Sequence, residues 1–186
     1  MVAFADDVVE YWFSGAALEQ KKRHWFGLKE TDDEIKEKFQ ATWEALSAVN
    51  DTALAEKWAA GGVRSVLALL IVWGQFSRVL WRGDGRSFVN DLRVGALAMD
   101  TIKSGAVGLS KDETHFLRMP LMHSEDMEVH RWNAEQPGGD NERNQGHLAV
   151  IVKYGRFPQR NAALGRESTE EEVAYMASPE AQGRPY

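Results

Sequence analysis

The side chains best suited to chemistry in this sequence fall into three short segments. The first contains Gln75, Arg78 and Arg82, spaced by three and four residues, so a helix would place them on one polar stripe. The stripe ends an otherwise apolar stretch, where a charge must either pair with an acid or face a cavity. The two arginines could therefore lock helices together through buried ion pairs, or they could contact a ligand.

The second segment contains His123, Asp126 and His130, which would share a helical stripe, with Glu125 on a neighbouring face. Two imidazoles and a carboxylate could hold a divalent metal ion. Positions seven residues apart lie about 10 Å apart along a helix, however, so a metal site would need a bent helix or a third element. Hydrogen bonding, capping or pairing with arginine is the simpler interpretation. Proton transfer by His123 or Glu125 to a non-metal ligand is the other alternative.

The third segment follows a predicted turn at Gly155 and leads into a predicted helix start at Ser168. It contributes three arginines and an amide: Arg156, Arg160, Asn161 and Arg166. Arginine forks match carboxylates and phosphates, and free N–H groups at a helix start favour an anion. These residues could form an anion pocket, or they could simply neutralise Glu125 and Asp126.

The remaining histidines receive simpler predictions. His147 lies on the helix that leads into the third segment, so we expect it near that cluster. His24 and His115 are expected at the surface. No cofactor is predicted, although a metal-dependent enzyme using His123 and Asp126, with His130 or His147, remains an alternative.

Composition excludes several classes of protein. The 186 residues contain no cysteine, which rules out disulfides, thiolate metal sites and cysteine nucleophiles. The net charge is −6 and the largest basic run is Lys21–Arg23, so we expect no nucleic-acid partner. The N-terminus lacks a basic signal region, and the longest apolar run, Val66–Gly74, is short for a membrane span. We expect a soluble cytoplasmic protein; the sequence does not indicate its oligomeric state.

Helical spacing of apolar residues dominates the chain and predicts an all-α fold. We expect a single compact multi-helix domain over residues 1–178 and a flexible C-terminal tail over residues 179–186. The most apolar segment, Val63–Trp81, should be the central helix, covered on all sides.

Local signals predict where several helices begin and end. Capping boxes place helix starts at Thr31, Ser110 and Ser168. Pro120 is expected to kink or restart a helix that continues over Leu121–Trp132.

Three motifs, "LIVWGQFSRVLWRG", "FLRMPLMHSED" and "KYGRFPQRNAALGREST", resemble the bacterial family named domain of unknown function 924. The N-terminal "VVEYWF", "HWFG" and "DDEIKEKF" fit the same pattern, so the resemblance covers nearly the whole chain. It implies one α-helical domain with a tetratricopeptide-repeat-like antiparallel helical array. It implies no reaction.

The chain departs from the family pattern at motif positions. The family usually has Asp, Pro and Asn where this chain has Gly74, Ser77 and Val79. It usually has His where this chain has Gln159, and Gln where it has His130. Roles that depend on those groups are therefore not transferred, and the sequence does not indicate whether these positions mark an altered or lost site.

These observations favour a small-molecule-binding protein or enzyme with a polar pocket for an anionic or zwitterionic metabolite. The predicted ligand-binding residues are Gln75, Arg78, His123, Glu125, Asp126, Arg156, Arg160, Asn161 and Arg166. A helical protein–protein interaction module is the alternative from another class. The pocket hypothesis requires the three segments, distant in sequence, to line one hollow.

Overall fold

The computed structural model describes residues 1–14, 29–137, 139 and 141–182. The described helices are α1 Ala5–Phe13, α2 Lys29–Leu46, α3 Ala53–Ala60, α4 Val63–Ile71, α5 Ser77–Leu80, α6 Asp91–Lys103, α7 Lys111–His123, α8 Met127–Glu135, α9 Glu142–Tyr154, α10 Glu170–Met176 and α11 Pro179–Gln182. A π-helical segment, Val72–Phe76, joins α4 to α5, and 3₁₀ turns occupy Gly85–Ser87 and Pro158–Arg160. No strand occurs in these ranges, so the all-α prediction is confirmed. His24 and the basic run Lys21–Arg23 lie outside the described residues.

The central position predicted for the most apolar segment is confirmed. Every residue from Val66 to Trp73 is buried, and α4 packs against α1, α3, α6 and α7. Burying one such aliphatic side chain contributes about 1.5–3 kcal/mol. The stretch Val63–Leu80 also has the length and apolar composition of a membrane span, but 61 % of it is buried inside the fold. A core helix meets the same criteria.

The π-helical segment changes how the first polar stripe is arranged. The Ser77 hydroxyl donates to the Trp73 carbonyl (2.5 Å) and accepts from the Trp43 indole N–H (2.7 Å). The wider turn shifts the register of the residues that follow, and α5 ends at Leu80. The predicted stripe is therefore wrong at its far end, because Arg82 lies beyond the helix and pairs with Asp32 at 2.9 Å.

Helix starts agree with the predicted capping boxes in one case of three. Ser110 caps α7, with hydrogen bonds in both directions to Glu113. Thr31 is wrong as a cap, because it lies inside α2. The third box is displaced by one residue: Thr169 caps α10, and the reciprocal bond comes from Glu172.

The helix predicted over Leu121–Trp132 is wrong. Helix α7 runs through Pro120 and ends at His123, and Ser124 adopts an extended backbone. The carboxylate of Asp126 then accepts hydrogen bonds from two backbone N–H groups at the start of α8. This N-cap favours a new helix over continuation of the old one. His123 and Asp126 consequently do not share one helical face.

The C-terminal part folds back onto α9. Gly155 ends α9 with a φ of 69°, which favours glycine, and the centres of the Tyr154 and Tyr175 rings then lie 5.1 Å apart with the rings tilted by 37°. Within the flexible tail predicted over residues 179–186, residues 179–182 form α11, and Ala181 is buried. Residues 183–186 lie outside the described part of the chain.

Candidate functional site

Two arginines from distant parts of the chain share the carboxylate of Asp91. Arg78 Nη1 and Nη2 lie 3.1 and 2.9 Å from its Oδ1 and Oδ2, and Arg160 Nη1 lies 3.0 Å from Oδ2. The Arg160 side chain is only 2 % exposed, whereas that of Arg78 is 18 % exposed. We call this group the Arg78–Asp91–Arg160 triad. Two guanidinium charges meet one carboxylate, so one positive charge within the triad is unmatched.

Each triad residue is positioned by a local feature of the chain. Asp91 is the first residue of α6, where the helix dipole stabilises a negative charge. Arg78 folds back along its helix and donates to the carbonyl of Gly74 at 2.8 Å. Arg160 ends the 3₁₀ turn begun by Pro158 and donates to the carbonyl of His123 at 2.8 Å. The three predicted segments therefore do meet.

Two aromatic rings contact the cations of the triad. The guanidinium carbons of Arg78 and Arg160 lie 5.3 and 4.9 Å from the centre of the Phe88 ring, and Arg160 lies 4.4 Å from that of Phe157. Such contacts favour a cation that has lost its water. Burial lowers the pKa of Arg160 to about 10, so this arginine remains charged at neutral pH.

Glu125 is neutralised by Arg166 rather than by the triad. The two side chains form a double hydrogen bond of 2.7 and 3.0 Å, and Glu125 Oε1 also accepts from the Phe157 N–H at 2.8 Å. Burial opposes ionisation of Glu125, but these hydrogen bonds and the charge of Arg160 outweigh it, so its pKa lies below the ordinary value. An ionised, paired carboxylate fits a structural counter-ion better than a proton carrier.

Arg156 and Asn161 are committed to the last part of the fold. Arg156 forms two hydrogen bonds, of 2.7 and 2.8 Å, with the carboxylate of Glu172, and Asn161 Nδ2 lies 3.2 Å from the same group. The bond from Arg156 is the main reason that the pKa of Glu172 falls to about 2. This cluster holds α10 against the turn after α9.

Two other predicted site residues make their hydrogen bonds elsewhere. Gln75 Nε2 donates to Met119 Sδ on α7 at 3.2 Å, and Asp126 caps α8. The predicted ligand-binding set therefore includes residues whose side chains have separate structural roles.

The His123 ring lies near the triad, and the His147 ring lies next to it. The rings of His123 and His147 are 6.0 Å apart, and His147 Nδ1 bonds to the Arg143 carbonyl. Burial, followed by the charges of Arg78 and Arg160, holds the pKa of His123 well below its usual range. His123 is therefore neutral at pH 7, and neither of its ring nitrogens has a hydrogen-bond partner among the described residues.

His130 belongs to the structural break rather than to a metal site. Its Nε2 lies 2.7 Å from the carbonyl of Ser124, which anchors the turn between α7 and α8. Across the described ranges, no three His, Asp or Glu side chains lie together as a metal ion would require. The predicted stripe of His123, Asp126 and His130 fails because the helix ends at its first member.

Sequence reasoning missed Asp91 and Glu172, the acids on which these arginines converge. Asp91 follows Asn90 at the start of a helix, so it carries only the signal of an ordinary helix-start acid. Glu172 could have been found, because it stands three residues after Thr169, as a capping box requires.

Comparison with known proteins supports the fold and gives no activity. No curated protein matches the chain. A solved structure, the "Protein of Unknown Function ATU0120 from Agrobacterium tumefaciens", matches with a TM-score of 0.74 and 26 % identity, over 93 % of this chain and 96 % of that one. The family model described as "Bacterial protein of unknown function (DUF924)" matches residues 8–180. The chain therefore belongs to the bacterial DUF924 family.

Proposed function

We propose that the protein binds a small anionic or zwitterionic metabolite through a carboxylate that approaches Arg78 and His123. The observation that carries this proposal is the unmatched positive charge of the triad, where two arginines share the single carboxylate of Asp91. A partly buried charge without a counter-ion is costly, so an anion at this position would be favoured. One unmatched charge suits one carboxylate.

Unsatisfied donors in the triad support the same proposal. The Nε–H groups of Arg78 and Arg160 are buried and have no acceptor among the described residues. Leaving a buried donor unsatisfied costs about 1–3 kcal/mol. Arg78 is the more exposed of the two arginines, so its Nε–H is the better candidate to donate a hydrogen bond to a ligand oxygen.

Gly74 supplies a third line of support. A Cβ atom built on Gly74 would have one neighbour within 4 Å, Val94 Cγ1 at 3.8 Å, so the position is not tightly filled. The family resemblance places Asp at this position. A chain with Gly74 therefore lacks a carboxylate close to the Arg78 guanidinium, and a ligand carboxylate could take its place.

His123 gives the proposed site a polar group that changes with occupancy. The neutral ring offers one donor and one acceptor, which suits the carboxylate and ammonium groups of a zwitterion. The cations of Arg78 and Arg160 contribute to the low pKa of His123, so a bound anion would raise that pKa. His123 is accordingly the candidate for proton transfer, whereas Glu125 is held by Arg166.

Thermal denaturation with a panel of organic acids and amino acids, at fixed ionic strength, tests the proposal. A ligand at ten times its Kd stabilises the folded state by about 1.4 kcal/mol, which raises the Tm by about 3–5 °C for a chain of this size. Arg78→Gln should lose this shift. Arg82→Gln removes the same charge from a pair on the surface and should keep it. A panel without any stabilising compound, or an equal shift in the Arg78→Gln variant, would remove the proposal.

A further inference from the structure

A second basic feature lies apart from the triad, between α7 and the start of α9. It is a cleft of about 360 Å³, which is within the size range of small-molecule sites. Its described lining comes from one face of α7 and from the first turn of α9: Lys111, Thr114, His115, Arg118, Met122, Asn141, Arg143 and Asn144. No residue of the triad belongs to this lining.

The charge of this cleft is one-sided. Three cations, Lys111, Arg118 and Arg143, line it, and no Asp or Glu is among the described lining residues. None of the three forms an ion pair within the described parts of the chain. Arg118 is held in place by a 2.6 Å hydrogen bond from Nη1 to the Pro137 carbonyl, while its Nη2 is buried and lacks a partner. A preorganised guanidinium with one unpaired donor thus lines the same cleft as two exposed cations.

The other wall adds polar groups that the fold holds rigidly. Asn144 is 7 % exposed and is held in place by a hydrogen bond from its Nδ2 to the Gly139 carbonyl at 3.1 Å. It stands in the first turn of the 13-residue helix α9, whose N-terminal dipole favours an anion. Positive charge therefore reaches the cleft from both walls.

We propose that this cleft is a second anion site, which binds the phosphate group of a small phosphorylated metabolite. Three cations match the double charge of a phosphate better than the single charge of a carboxylate. The volume exceeds that of a phosphate group alone, and Met122 and the His115 ring offer surface for an organic part. The site does not depend on the triad or on the function proposed for it.

Isothermal titration with inorganic pyrophosphate, with inorganic phosphate and succinate as comparisons, tests this site at fixed low ionic strength. The wild type should bind pyrophosphate more tightly than phosphate. It should bind succinate at least about tenfold more weakly than pyrophosphate. The double variant Lys111→Gln/Arg143→Gln should raise the Kd for pyrophosphate by about tenfold or more. Both side chains are exposed at the cleft, so the fold should tolerate this change.

Two control variants separate this site from other sources of positive charge. Lys57→Gln/Arg131→Gln removes the same charge from exposed positions outside the cleft and should leave the Kd unchanged. Arg78→Gln should also leave it unchanged. The cleft assignment would be overturned by an equal loss of pyrophosphate affinity in the Lys57/Arg131 control, or by a loss in Arg78→Gln alone. It would also be overturned by equal affinities for succinate and pyrophosphate, or by no binding of pyrophosphate. Loss in Arg78→Gln alone would instead point to the triad.

Discussion

Arg160 Nη1 lies 3.0 Å from Asp91 Oδ2, in an interior position where the arginine side chain is only 2 % exposed. The same carboxylate already receives a two-pronged bond from Arg78. Asp91 is therefore the only described acid that contacts both guanidinium groups, and it is indispensable to them. Arg160, in contrast, is the group that turns a balanced ion pair into a positively charged triad.

Removal of the Asp91 charge should be strongly destabilising. Asp91→Asn leaves two arginines facing each other, one of them buried, and breaking a buried ion pair in this way costs about 3–5 kcal/mol. Urea denaturation gives the free energy of unfolding directly. Asp100→Asn changes an exposed acid on the same helix and should cost less than about 0.5 kcal/mol. Equal costs for the two variants would contradict the role assigned to Asp91.

Gly74→Asp should restore the charge balance within the protein itself. The new carboxylate would lie near the Arg78 guanidinium, since Arg78 already bonds to the backbone carbonyl of residue 74. We expect a higher Tm than that of the wild type, together with loss of the stabilisation by a carboxylate ligand. Gly74→Asn, which has the same shape without the charge, should give neither effect. A ligand response that survives in Gly74→Asp would place the anion elsewhere.

Stability should depend on pH through His123. Its folded-state pKa lies well below the ordinary value of 6.5, so between the two values the unfolded chain binds more protons than the folded protein. The free energy of unfolding should therefore fall as the pH drops below about 6.5, by up to about 1.4 kcal/mol per unit. His130 acts in the same direction. Glu172, with a pKa lowered to about 2, loses its contribution only as the pH falls below about 4.5.

Urea denaturation at pH 7.5 and pH 5.5 measures this dependence. The wild type should lose about 1 kcal/mol more than His123→Asn between the two pH values. His115, whose ring is exposed and whose pKa is lowered less strongly, provides the comparison, and His115→Asn should change the slope less. Identical slopes for the wild type and His123→Asn would contradict a neutral, partly buried His123.

The displaced capping box can be tested with two neighbouring residues. Thr169 Oγ1 accepts from the Glu172 N–H at 3.2 Å, so Thr169→Ala should destabilise the protein by about 1 kcal/mol. Ser168 accepts one side-chain hydrogen bond, from Asn161, outside the helix cap, and Ser168→Ala should cost less. Denaturant midpoints of the two variants decide the matter, and a larger cost at Ser168 would restore the predicted helix start.

The sequence predicted the helices well because apolar spacing is strong over Val63–Trp81 and its neighbours. It also predicted that Arg78, Arg160 and the His123 segment meet. It could not predict Asp91 as their meeting point, because an acid at a helix start is common for local reasons. The π-helical turn before Arg78 and the helix break after His123 were missed, since both depend on competition between hydrogen bonds that spacing alone does not reveal.

The presence of an anion at the triad can be observed most directly at the Nε–H group of Arg78. NMR titration with sodium acetate, the simplest carboxylate, against sodium chloride at the same ionic strength follows the arginine Nε–H signals, with Arg78→Gln and Arg82→Gln providing the assignments. We expect a saturable acetate-dependent shift of the Arg78 signal and none for Arg82, whose guanidinium is held by Asp32 at the surface. An Arg78 signal that does not move, or that moves in parallel with that of Arg82, would contradict carboxylate binding at the triad.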